Sequence, residues 1–293
     1  MDIKGNFFSN EIIIVLIFFI IIIGISANLT DNITEKMTSS LELNNLEKLS
    51  SESLDTLINN PGIPNDWENL SNYGNIHPGF AILNSDNKTI KNSVSFFKIS
   101  KLENNYDLLI KQKVFNGNIK SSIAIYPLNS SIPSYFYGDI DERENVISIN
   151  RLIKCDFYST YTLLNFNEKK ECNHNHDKNN YSCASFTVYK SYLKDNDYYL
   201  LSGSKEINNL YWSIDTTNNK SSEYKKISNN KIYLNDYIAN EMKSSSNEIF
   251  FIHLKDKSAK VVLVSVPKDF NEKLLIYDYF IITPCKIVLK TWY

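Results

Sequence analysis

Arginine is almost missing from this chain. Of 31 basic residues only Arg143 and Arg151 carry a guanidinium, and the formal net charge is −2. Paired forks that grip phosphates are therefore nearly absent, and nothing draws the chain electrostatically to a nucleic-acid backbone. Nucleic acid is not expected as a partner. Glycine is scarce as well, at 8 of 293 residues, and no G-x-S-x-G, GxxxxGKS/T or G-x-G-x-x-G occurs. Those absences remove the nucleophile elbow, the phosphate loop and the dinucleotide fingerprint. The sequence thus predicts no enzyme and no cofactor.

Asparagine takes the place that glycine leaves, with 39 residues and Asn-Asn pairs beginning at 44, 59, 104, 179, 208, 218 and 229. Asn tolerates the left-handed region better than other residues with a Cβ, so it can replace Gly in turns. Seven N-x-S/T sequons follow from it, at Asn28, Asn32, Asn69, Asn87, Asn129, Asn180 and Asn219. These are candidate glycosylation sites in an exported chain, although their number is what the Asn, Ser and Thr frequencies produce by chance. With 43% hydrophobic and 22% charged residues, the chain is globular and long enough for one sizeable core.

Long apolar runs are also few, and the one that exists lies near the N-terminus. From Ile12 to Ile25 no side chain is charged or polar. As a helix this run is roughly 21 Å long against a hydrocarbon core of about 30 Å; extended from Phe7 to Ala27 it would span. Three fates compete. Gly24-Ile25-Ser26 offers a signal-peptidase cut before Ala27. A prepilin-type cut after Gly5 would leave Asn6 as the new N-terminus, with Glu11 heading the retained helix. That carboxylate is costly in lipid and makes sense if it pairs with a neighbouring subunit's N-terminal amine, setting assembly register. The third fate is an uncleaved anchor.

Apolar residues continue at Leu29, Ile33, Met37, Leu41, Leu43, Leu46, Leu49, Leu54, Leu57 and Ile58, with steps dominated by three and four. That is an amphipathic helix, and no Gly or Pro interrupts it before Pro61-Gly62. This continuation favours a retained membrane anchor. The expected organisation is an anchor helix over 1–27, an amphipathic helix over 28–60 and an extracytoplasmic domain over 61–293. Pro61 should end the helix, Gly62 should permit a left-handed turn, and Trp67 should pack the turn back as an apolar plug.

Beyond this turn the pattern becomes short runs rich in Ile, Val, Tyr and Phe. Strands are expected near 79–83, 119–126, 146–158, 183–192, 198–202, 210–215, 248–254, 260–266, 274–282 and 285–291. The pair flanking "KDKSA" reads as a hairpin. Helices are expected from Lys101 to Val114, opened by the capping box Ser100-x-x-Glu103, and from Asn235 to Lys243. The fold class is α+β, a long N-terminal helix, apolar then amphipathic, followed by a mainly antiparallel sheet domain with one or two short helices.

Several landmarks then coincide: "NPGIPNDWENL" with Pro61, Gly62, Pro64 and Trp67; "HPGFAIL" with Gly79, Phe80 and Ala81; and "SFFKISKL" with Ser95, Lys98 and Leu102. Together with the short charged start these resemble pilin-like, class III-signal-type surface proteins of methanogenic archaea. The likeness covers about the first 130 residues and the terminal "PCKIVLKTWY". It implies an exported, membrane-anchored surface protein with a structural or adhesion role, its head outside the cell, its partners other pilin-like subunits or envelope proteins. It brings no catalytic residues. The other reading is a singly anchored extracytoplasmic module that binds a glycan, a metal or an envelope protein.

The sharpest local cluster is "CNHNHDKNNYSC". In an extended segment Cys172, His174 and His176 share a face and could present one sulfur and two imidazoles to Zn²⁺, with Cys183 as fourth ligand. Equally, Cys172 and Cys183 could close a disulfide loop, or the histidines could be plain loop residues. Cys155 and Cys285 stand in strand-like contexts, as a pair or as free thiols. His77 and His253 read as structural. "GDIDEREN" over 138–145 lacks the spacing of a Ca²⁺ loop, and 19 tyrosines suit either half-buried strands or a stacking surface.

Overall fold

The computed structural model describes residues 3–128, 131–140, 146–166, 182–203, 210–217, 224–242, 245–255 and 260–293, with the backbone alone over 3–11. It begins with one unbroken helix, α1 (Ile3–Asn59), 57 residues and so about 85 Å long. From Ile12 to Leu41 its apolar side chains stand exposed, and burial sets in only with Leu46, Leu54, Leu57 and Ile58. The apolar stretch is long and apolar enough to cross a membrane, and none of it is buried. The chain therefore has a projecting apolar helix compatible with a single membrane span, and a folded head into which the same helix is built.

The head opens with β1 (Ala81–Leu83), β2 (Thr89–Ser95), α2 (Phe96–Ser100), α3 (Leu102–Tyr106), β3 (Lys120–Pro127), β4 (Tyr135–Gly138) and β5 (Ile147–Asp156). It continues through β6 (Thr162–Asn165), β7 (Ser182–Tyr189), β8 (Asn196–Ser202), β9 (Tyr211–Thr216), β10 (Lys225–Lys226), β11 (Lys231–Tyr233) and α4 (Asn235–Glu241). It closes with β12 (Asn247–Leu254), β13 (Val261–Pro267) and β14 (Ile282–Trp292). These strands make a six-stranded sheet, β1-β2-β5-β14-β3-β4, and two four-stranded sheets, β10-β9-β12-β7 and β11-β8-β13-β6. All pairings are antiparallel except β2 with β5. The class is α+β, as the hydrophobic pattern predicts.

Two cores result. In β14 the odd positions Thr283, Cys285, Ile287, Leu289 and Thr291 face inward under α1, while Pro284, Lys286 and Lys290 face solvent, the period-two pattern of a one-sided sheet. β13 differs. Val262, Val264 and Val266 enter the first core, whereas Val261 and Leu263 enter a second core with Phe250, Ile252 and Leu254 of β12. Its sheet is thus covered on both faces, and its sequence "VVLVSV" is correspondingly a continuous apolar run.

That arrangement corrects the expected hairpin. β12 pairs with β7 and β9, and β13 with β8 and β6. Both strands are apolar at successive positions, so they meet face to face across the second core and occupy the centre of separate sheets. The capping box is corrected too. The helical stretch starts one turn early, with Ser95 Oγ accepting from the Lys98 backbone N–H at 3.4 Å, while Ser100 Oγ donates back to the Phe97 carbonyl. The strand expected over 274–282 is mostly two short turns, Glu272–Leu274 and Tyr277–Phe280. Tyr277, Tyr279 and Phe280 are buried there without a ladder, so aromatic burial mimics a strand signal.

Of the 18 described tyrosines six are buried, six half-buried and six exposed, so they serve both the core and the surface. Phe157 packs against Phe96 at 4.6 Å and Tyr279 at 5.6 Å, and the Tyr135 and Tyr279 hydroxyls are hydrogen-bonded at 3.1 Å. Among the described residues, the three non-glycine positions with positive φ are Asn87, Asn92 and Asn116. Asparagine here does the conformational work that glycine usually does.

Candidate functional site

The exit of α1 organises the head. Carbonyls at a helix end need outside donors, and here Phe80 N–H bonds to the Leu57 carbonyl at 2.7 Å and Ala81 N–H to that of Asn60 at 3.0 Å. Gly62 takes φ +93°, and Ile63 and His77 exchange both backbone hydrogen bonds at 2.9 Å. Trp67 is fully buried and its Nε1 donates to the Gly79 carbonyl at 2.9 Å. The glycines answer to this crowding. A Cβ on Gly62 would stand 2.4 Å from Trp67 Cδ1, and one on Gly79 would stand 2.3 Å from the Asn60 oxygen.

Lys98 completes the collar. Its Nζ donates to the carbonyls of Pro61 and Asn65 at 2.6 Å each, with Glu68 Oε2 at 3.8 Å. Burial lowers its pKa, partly offset by Glu68 and Asp66. The residues that carried the resemblance, Pro61, Gly62, Trp67, Gly79, Phe80, Ala81, Ser95 and Lys98, thus converge on one place, with Leu102 buried in the same core. What they do there is hold a turn against a helix end.

Beside the collar lies a cavity of about 510 Å³, lined among others by Glu68, Ser95, Phe97, Asp156, Tyr158 and Tyr161. It opens where β2 and β5, the parallel pair, end side by side at Ser95 and Asp156. Asp156 is held rigidly, its Oδ1 accepting from Ser159 N–H at 2.9 Å and its Oδ2 from Ser159 Oγ at 2.7 Å. The rings of Tyr158 and Tyr161 both meet Phe270 edge-on, at 5.4 and 5.7 Å. Neither Asp156 nor these rings is marked by any local motif; only their meeting in space distinguishes them.

Of the predicted metal ligands, Cys172, His174 and His176 lie outside the described residues, and so does the Cys172 half of the proposed disulfide. Cys183 is buried in β7, directly opposite His253 of β12, which has Ser213 of β9 on its other flank. His253 Nε2 lies 2.9 Å from Asp215 Oδ2, deep inside. By sequence alone His253 reads as an isolated structural residue; the register across three strands puts it in a buried polar row. Among the described residues no group of three or more His, Cys, Asp or Glu side chains is placed to hold a metal.

Cys155 and Cys285 are both buried in the first core. They stand diagonally across β5 and β14, since Cys155 pairs with Thr283 and Cys285 with Ile153. Cys285 Sγ donates to the Thr283 carbonyl at 3.4 Å; the neighbouring Cys155 thiol lowers the Cys285 pKa, while burial raises that of Cys155. Within the acidic stretch, Asp139 shares Lys111 with Asp107, at 2.8 and 2.7 Å; residues 141–145 are not described.

Gly5, Asn6 and Glu11 fall on the first turns of α1, where only backbone is described. Asn28, Asn32, Asn69 and Asn87 are exposed, whereas Asn129, Asn180 and Asn219 lie outside the described residues. Comparison with protein-family models, with curated proteins and with solved structures finds no match. What the geometry defines by itself is a class: an α+β head carried on one projecting apolar helix.

Proposed function

We propose that this chain is an exported, single-pass surface protein of the pilin-like kind, anchored by α1 and assembling with its own copies through the exposed face of that helix. The carrying observation is a stripe that outlasts the apolar run. Leu29, Ile33, Met37 and Leu41 recur every fourth residue and are 56–61% exposed. Beside them Thr30, Thr34 and Thr38 each donate their hydroxyl to the carbonyl four residues back, at 2.8–2.9 Å, so their polar atoms are satisfied within the helix.

A membrane supports the mechanism by giving every copy the same direction and depth. Identical stripes then meet at equal height, and parallel helices can interlock along them. Glu11 is the residue expected to set register at the buried end. The head, rigidly continuous with the helix, would be displayed outside the cell in a structural or adhesive role.

The test is the mature N-terminus, read by mass spectrometry of the native membrane fraction, together with an alkaline carbonate wash. A start at Met1 or at Asn6, with the protein retained after the wash, supports anchoring, and Met37→Cys should then give disulfide-linked dimers in the membrane. A start near Ala27, or release by carbonate, overturns the proposal.

A further inference from the structure

The cavity at the end of β2 and β5 has the position and lining of a ligand site. Parallel strands that end together leave a crevice off their carboxyl ends, where no ladder continues and side chains from two departing loops face each other. Here the chain leaves Ser95 into α2 and leaves Asp156 into the turn carrying Tyr158 and Tyr161. The resulting volume of about 510 Å³ lies within the range of roughly 300–1,000 Å³ typical of small-molecule sites.

The lining selects among ligand classes. Anions are disfavoured, because two carboxylates, Glu68 and Asp156, stand in the wall and the one ammonium there, Lys98, already donates to the Pro61 and Asn65 carbonyls. Organic cations are disfavoured on the other side. Phe97, the exposed ring of the wall, has the Lys101 ammonium over it at 4.5 Å, so an incoming cation would meet Lys101 as well as Lys98.

A neutral polyhydroxylated ring suits what remains. Asp156 has each oxygen engaged once by Ser159, which aims the carboxylate and leaves a second lone pair on each atom for ligand hydroxyls. Tyr158 and Tyr161, braced by Phe270, offer half-buried aromatic surface on which the C–H face of a pyranose can pack. We propose that this cavity binds a neutral sugar, with Asp156 accepting its hydroxyls and Tyr161 stacking on its apolar face. The site belongs to the head alone, so it stands or falls independently of whether α1 assembles.

The test uses the full chain in an uncharged polyoxyethylene detergent, which avoids sugar headgroups. Saturation-transfer NMR is recorded with the methyl glycosides of glucose, galactose, mannose and N-acetylglucosamine, and with choline as the cationic probe. The expected result is transfer to the ring C–H protons of at least one glycoside. Its affinity should fall at least tenfold in Tyr161→Ala and in Asp156→Asn, and should stay within about twofold in Tyr161→Phe, which keeps the ring and shows that the loop is intact. No transfer to any glycoside, binding unchanged in Tyr161→Ala and Asp156→Asn, or tighter binding of choline would each overturn the proposal.

Discussion

Arg151 grips Asp55 with two parallel hydrogen bonds, Nε to Oδ1 at 2.8 Å and Nη2 to Oδ2 at 3.0 Å, and Nη2 also donates to Ser51 Oγ at 2.8 Å. In a chain with two arginines, one is used to tie α1 to the central strands of the head. Lysine cannot supply this fork. The pairing raises the pKa of Arg151, chiefly through the Asp55 hydrogen bonds. Because both side chains are about a third or more exposed, Arg151→Lys should cost only about 1 kcal/mol. The denaturation midpoint of the single variants and of Arg151→Lys with Asp55→Asn measures the coupling; additive losses would show that the fork contributes nothing.

The collar at the helix exit should tolerate change far less. Gly62→Ala places a side chain at φ +93° and against the Trp67 ring, and Gly79→Ala drives one into the Asn60 carbonyl. Each is expected to cost about 2–3 kcal/mol or more. Trp67→Ala, which empties a fully buried site and orphans the Gly79 carbonyl, should cost about 3–5 kcal/mol. Thermal unfolding followed by near-UV circular dichroism ranks them; losses below the Arg151→Lys value would contradict the plug.

Alkaline pH should unfold the head through its tyrosines. Burial pushes the phenols of Tyr106, Tyr135 and Tyr137 upward, and Tyr199 up to about 12, from the usual 10.0. A raised phenol keeps its proton in the folded state while the unfolded chain loses it, so this stability is present below pH 10 and is lost as pH rises from 10 toward 12 and beyond. Lys98 acts with the opposite sign. Its pKa is lowered by burial, so the cost of keeping it charged is relieved as pH climbs toward its unfolded value of 10.5. With Tyr158, Tyr198 and Tyr233 raised as well, seven phenols among the described residues stand against one lowered amine, which predicts net destabilisation above pH 10. Urea titrations at pH 9 and pH 11 check it, with a lower midpoint expected at pH 11.

Cys155 and Cys285 should resist modification in the native protein, since both are fully buried and the thiol of Cys155 is pushed up by that burial. Maleimide labelling read by peptide mass spectrometry should leave both unmodified until denaturant is added. Labelling of either under native conditions would mean that β5 and β14 separate readily.

Local signals carried the helix, its exit and its fold class, because each is written within a few residues. Periodicity names α1, Pro61-Gly62 ends it, and Trp67, five residues beyond Gly62, is close enough to plug the turn. Nine of the fourteen described strands were legible for the same reason, since alternating or continuous apolar runs mark one-sided and two-sided burial, whereas β2, β4, β6, β10 and β11, short or polar in sequence, were not. Strand partnership was not. β12 and β13 adjoin along the chain and carry two hairpin-like runs, yet their doubly apolar pattern suits the centres of two facing sheets.

The sequence by itself determined a long helix whose first half has nothing in its own chain to bury it, a turn that stops it, and an α+β head beyond. Only the tertiary structure decided that Arg151 meets Asp55, that Cys183 lies opposite His253, and that Ser95 and Asp156 end together beside Tyr161. The physical reason is distance along the chain. A helix turn closes over four residues, whereas Arg151 and Asp55 are 96 residues apart, and their meeting depends on how whole faces are buried against one another.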